Sequence, residues 1–141
     1  MTAQRWLPTV IRARQAAEDL RAQQVAAARR DAEQAADRLA EQDARIGGLA
    51  APETATVTEF QAEMAAQQAA LASLAAARHR VQFADARLAA QLAELTEAAR
   101  SRRTVEKMQE RIENTLAAQA RTAAQREQDD LTIARFGRAA G

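Results

Sequence analysis

The chain has 141 residues, a formal charge of +1 and no cysteine, and 48% of it is hydrophobic. Forty of those apolar residues are alanine, leaving 27 larger apolar side chains; this rules out a thick globular core and suits a layer of two or three close-packed helices. The near-neutral charge gives no argument for a nucleic-acid binder or a polybasic membrane ligand, and without cysteine there is neither a disulfide framework nor a thiolate metal site.

At the N-terminus, Met1 to Pro8 has no uninterrupted apolar core of the kind a secretion signal needs, and no apolar run approaches the roughly 20 residues that span a bilayer. A cytoplasmic protein is expected. The first helix starts near Gln4 to Leu7, because Pro8 is tolerated in a first turn where its missing amide would have no partner. It then runs without a breaker to Ile46. Gly47 and Gly48 close it, the first in the position where a left-handed residue commonly ends a helix. The segment from Gly47 to Thr56, with Pro52 inside it, reads as a turn short enough to make its flanking helices antiparallel neighbours.

From Val57 to Phe136 there are eighty residues without glycine or proline, dominated by Ala, Leu, Gln, Glu and Arg, which lose least on entering a helix. At about 1.5 Å per residue such a helix would be roughly 120 Å long. Thr56 and Glu59 have the form of a capping box at its start. Apolar residues recur at Val57, Phe60, Met64, Leu71, Leu74, Val81, Leu88, Leu92 and Leu95 in alternating steps of three and four, with Gln67, Arg78 and Asp85 as polar exceptions. The expected fold is all-α: a long antiparallel two-helix coiled-coil hairpin, the second helix longer than the first. As one domain it would comprise helix one at about 5–46, a turn at 47–56, helix two at about 57–136 and a tail at 137–141.

Laying Ile46, Gln42, Leu39, Ala35, Ala32, Ala28, Gln24, Leu20, Ala17, Ala13 and Val10 against the stripe of helix two gives facing residue numbers that add to 101–103. Gln24 then falls opposite Arg78, and helix one needs a stutter between Leu20 and Ala32 to stay in phase. On this register helix one is used up near residue 97, so residues 99–136 lack cover. They carry a weaker stripe of Val105, Met108, Ile112, Leu116, Ala123, Leu131 and Ile133, and an uncovered apolar stripe is usually a contact surface.

Reaction chemistry finds little support. His79 is the one histidine, no Glu-x-x-His pair exists, and the four glycines lie in the turn or the tail rather than in a phosphate loop. No enzyme, metal or cofactor is expected. Residues 51–99 carry three Lys/Arg against six Asp/Glu, and residues 100–141 carry nine against six. The basic cluster of Arg100, Arg102, Arg103, Lys107 and Arg111 is interleaved with Glu106, Glu110 and Glu113, which reads as salt-bridged helix surface rather than a nucleic-acid site.

Three stretches carry a resemblance. Trp6-Leu7-x-x-Val10-Ile11-x-x-Arg14 followed by Glu18, then Val105-Glu106-Lys107-Met108-x-x-Arg111, then Arg126-Glu127-Gln128-x-x-Leu131-x-x-Ala134-x-x-Gly137 are similar to the opening and close of the FliJ family of flagellar type III export. The resemblance implies an antiparallel coiled coil like the central stalk of rotary ATPases, held at the cytoplasmic face of the membrane. In such proteins the joined N- and C-terminal end engages the ring-shaped flagellar export ATPase, which here points to Trp6, Leu7, Val105, Met108, Ile112 and Leu116. The hairpin end engages the cytoplasmic part of the export gate, a membrane protein, which points to Leu39, Gln42, Ile46, Phe60, Met64 and Gln67. Ordinary seam packing is the competing account of these last six. Export substrates or their chaperones are further implied partners. Two alternatives stay open: a structural coiled coil that self-associates through its C-terminal overhang, and the equivalent stalk of a virulence-type secretion system.

Overall fold

The computed structural model describes residues 3–49 and 56–140. Among these residues there are two helices, α1 (Ala3–Gly47) and α2 (Val57–Ala139), and no strand. They pack against each other as an all-α hairpin with the second helix the longer. The chain divides into two compact units, one of residues 16–99 and the other of residues 1–15 with residues 100–141.

The start of α2 is set by its cap. The Thr56 amide donates to Glu59 Oε2 at 2.9 Å, and the Glu59 amide donates to Thr56 Oγ1 at 3.2 Å. The Phe60 amide donates to the Thr56 carbonyl, so Thr56 is the capping residue, as its sequence form implies. The end of α1 differs from expectation. Neither Gly47 nor Gly48 has a positive φ; instead the Gly48 amide is shared between the carbonyls of Ala44 and Arg45, and Leu49 donates to Ile46. The helix therefore closes by tightening its last turn, which satisfies the final carbonyls without a left-handed residue. At the other end α1 already includes Ala3, so Pro8 lies one turn inside it rather than in the first turn. At the far end of α2, Gly137 is helical and the Ala140 amide donates to Phe136.

In the unit of residues 16–99, burial repeats in steps of three and four on both helices, with Gln24, Ala27 and Ala99 half-buried beside the series. On α1 the half-buried or buried positions include 18, 21, 25, 28, 32, 35, 39, 42 and 46; on α2 they include 63, 67, 70, 74, 77, 81, 84, 88, 91, 95 and 98. The centre is Val25, Ala28, Leu74, Ala77 and Ala84. This seam shares Gln67, Leu74, Val81, Leu88 and Leu95 with the sequence stripe. Its alternate positions lie one residue earlier, at Glu63, Ala70, Ala77, Ala84 and Gln91, and Met64, Leu71, Arg78, Asp85 and Leu92 are exposed. Alanine explains the rotation: small side chains on facing positions let two backbones approach closely, and the larger residues between them fill the remaining space. On α1 no stutter is needed, because the phase passes through Glu18 and Arg21 and leaves Leu20 exposed.

The register also differs. Arg21 pairs with Glu94, and Gln24 shares a groove with Gln91, as Ala35 does with Arg80; each of these pairs adds to 115. Facing positions on α2 thus lie about thirteen residues further along than the sequence register placed them, roughly 20 Å of helix. Gln24 consequently meets Gln91 rather than Arg78. The sequence register assumed a turn folding tightly midway between Ile46 and Val57. In the structure α2 begins beyond the level at which α1 ends, an offset the nine-residue connection is long enough to span.

In the other unit Leu7 is 2% exposed, and Val10 and Ile11 are half-buried. The chain these residues can pack against within that unit is α2 from Arg100 onward, where Ser101, Arg102, Val105, Glu106, Gln109 and Ile112 are half-buried. Cover by α1 therefore extends to Ile112, further than the sequence reading allowed. Every residue from Glu113 to Ala140 is exposed.

Candidate interaction surfaces

The residues that the sequence assigns to the N- and C-terminal end fall into two groups. Leu7 is buried, and Val105 and Ile112 are half-buried on the face of α2 that lies within their unit. Trp6, Met108 and Leu116 are exposed. Beyond them, Leu131, Ile133 and Phe136 are more exposed still. Within this part of α2 the side-chain hydrogen bonds are local. Gln109 donates to Glu113 at 2.9 Å and Gln125 to Asp129 at 3.0 Å, each four residues on. The hydroxyls of Thr115, Thr122 and Thr132 donate to the carbonyls four residues back. The two glutamine pairs stabilise a solvated helix modestly, whereas the threonine hydroxyls satisfy themselves on the backbone and add nothing to helix stability; the apolar residues of the stretch stay bare.

Within the basic cluster one ion pair of the interleaved kind is present. Arg102 donates to Glu106 at 2.7 Å across one turn, and both side chains are partly buried. That carboxylate partly neutralises the Arg102 guanidinium.

The six residues assigned to the hairpin end also divide. Leu39, Gln42, Ile46 and Gln67 are half-buried seam residues. Phe60 and Met64 are exposed, and so are Val57, Leu71 and Leu49 near them. A groove of about 210 Å³ lined by Ile46, Leu49, Gln67, Ala70 and Leu71 opens beside this patch. Met64 carries both readings in the sequence, seam and hairpin-end contact, whereas Leu71 reads as seam alone; the one-residue rotation onto alanine leaves both exposed. Leu49, next to the glycine pair, carried no periodic signal.

One polar layer crosses the seam. Arg21 Nη1 donates to Gln24 Oε1 at 3.0 Å and also pairs with Glu94. Across the seam Gln91 Oε1 is buried without a hydrogen bond. Among the described residues no group of three or more His, Asp or Glu side chains could hold a metal ion, and His79 is exposed. Among the described residues no helix is long and apolar enough to cross a membrane. No family model, curated protein or solved structure matches the chain.

Proposed function

We propose that the protein is a non-enzymatic stalk and escort component of flagellar type III protein export, peripheral at the cytoplasmic face of the membrane. Its N- and C-terminal end would bind the ring-shaped export ATPase, and its hairpin end would bind the cytoplasmic part of the export gate. The observation that carries this reading is the uncovered helix from Glu113 to Ala140, which is exposed throughout and bears Leu116, Leu131, Ile133 and Phe136. A helix that extends beyond its hairpin partner is the element a ring-shaped receptor can take in, and the resemblance at Trp6 to Glu18 and at Val105 to Gly137 favours that receptor over others.

The test is recovery of partners by the tagged full chain from its own cell, followed by the same experiment with Leu116→Asp. A hexameric export ATPase held by the natural chain and lost by a monomeric Leu116→Asp variant is the expected result. Failure to retain any such ATPase would refute the reading. Which ATPase is retained separates a flagellar from a virulence-type system, and a natural chain that proves dimeric while Leu116→Asp is monomeric would favour a self-associating structural coil.

A further inference from the structure

We propose that the hairpin end is a docking site for an amphipathic helix whose apolar stripe is flanked by lysine or arginine. The site is the one the export reading gives to a membrane gate, but the inference rests on exposure and charge alone and stands or falls separately. Val57, Phe60, Met64 and Leu71 follow one another at helical spacing on α2 and are all exposed, and Leu49 adds to them from the end of α1. Beside them, Leu71 and Leu49 line a groove that reaches down to Ile46 and Gln67. An apolar stripe ending in a groove accepts the apolar face of another helix, read as anchors three and four residues apart.

Charge selects the kind of helix. Among the described residues between 41 and 71 the chain carries Glu41, Asp43, Glu59 and Glu63 against Arg45 alone. On α2, Glu59 and Glu63 each directly precede a residue of the stripe, Phe60 and Met64, and so border it along one side. The register brings Asp43 to the level of Leu71 and Ala72. Carboxylates on the rim of an apolar patch favour a cationic occupant and repel an anionic one. They therefore disfavour nucleic acid and anionic lipid headgroups. A second copy joined patch to patch would set these same carboxylates against each other, which opposes self-pairing here.

The probe is a fluorescein-labelled synthetic amphipathic helix of about three heptads, with leucine at positions a and d and lysine elsewhere; its counterpart has glutamate in place of lysine. Titrated with the full chain, the lysine peptide should bind at least about tenfold more tightly than the glutamate peptide, and the difference should shrink as salt rises. Phe60→Ser combined with Met64→Ser should weaken that binding by about tenfold or more, as should Asp43→Lys combined with Glu63→Lys. Phe60 and Met64 are exposed, so circular dichroism should show helix content retained. Leu131→Ser combined with Ile133→Ser, which removes still more exposed apolar residues elsewhere, should leave binding of this peptide unchanged. Equal binding of the two peptides, no binding of either, or loss of binding on the Leu131/Ile133 change would overturn the proposal. So would self-association of the natural chain that the Phe60/Met64 change abolishes, since a second copy would then be the occupant. None of these readouts involves an ATPase, so the outcome is independent of the export reading.

Discussion

Leu71 and Leu74 are chemically identical, lie within one turn of α2 and both sit on the stripe read from sequence, but they differ in exposure, 57% against 7%. Truncating each to alanine measures which face of α2 is the seam. Complete burial of a leucine side chain is worth about 1.5–3 kcal/mol, and leucine-to-alanine changes in well-packed sites cost about 2–5 kcal/mol because a cavity remains. The seam here is only two helices thick, so its surroundings can close on a cavity, and Leu74→Ala should fall near the lower end, about 2–3 kcal/mol. Leu71 leaves more than half of its surface in water and borders no closed cavity, so Leu71→Ala should cost under about 1 kcal/mol, offset in part by the better helix propensity of alanine. Urea unfolding followed by far-UV circular dichroism resolves such a difference, provided that the slope against denaturant is unchanged between variants. Equal costs would refute the alanine-lined seam, and a greater cost at Leu71 would restore the stripe that contains Met64, Leu71 and Leu92.

Further outcomes follow from the helix ends and the polar layer. Gly47→Ala should stabilise the hairpin by about 0.5–1 kcal/mol, because Gly47 is helical and an added Cβ meets nothing within 4 Å; destabilisation in thermal melts would mean that the residue is left-handed after all. Thr56→Ala should cost about 1 kcal/mol by removing the hydroxyl that accepts the Glu59 amide, and no change in urea midpoint would show that the cap contributes nothing. Gln91→Leu should be neutral or stabilising by up to about 1 kcal/mol, since it removes a buried oxygen that has no hydrogen bond; a loss of stability would reveal a bonding partner for that oxygen. Arg21→Ala should cost no more than about 0.5 kcal/mol, as Arg21 and Glu94 keep 41% and 50% of their side-chain surface in solvent, and a larger cost in urea unfolding would show that the pair is worth more than a solvated ion pair.

Features governed by a few consecutive residues were legible in the chain. The capping box is one: two side chains and two amides within four residues determine it, and nothing distant competes. The long second helix is another, since eighty residues without a breaker permit no other regular structure of that length. The glycine pair was read less well. Gly47 is compatible with a left-handed residue but does not require one, and the last turn of α1 found its hydrogen bonds at Ala44, Arg45 and Ile46 instead. Exposure was legible only in part: Trp6, Phe60, Met108 and Leu116 are large apolar residues that the structure leaves exposed. Leu7, Val105 and Ile112 are large and apolar too, and only the packing shows them buried or half-buried.

The face and the register were beyond a local reading, and alanine accounts for both. In a leucine-rich coil the seam is marked by bulk, so the apolar stripe and the contact face coincide. Here Met64, Leu71 and Leu92 offer bulk on one side of the shared positions Leu74, Val81, Leu88 and Leu95, and Ala70, Ala77 and Ala84 offer closeness on the other. Hydrophobicity scales favour the first set, whereas the approach of two backbones favours the second. The choice frees Met64 and Leu71 for the surface, so the same rotation that defeats the simple stripe creates the exposed apolar patch at the hairpin end. The register follows in turn. Once the seam is lined by alanine, successive layers differ little in size, and packing alone discriminates weakly between alignments. Polar residues must then distinguish them, which gives the layer of Arg21, Gln24, Gln91 and Glu94 a role beyond its small net energy: an alignment in which Gln24 faced Arg78 would forgo the Arg21 to Glu94 pair.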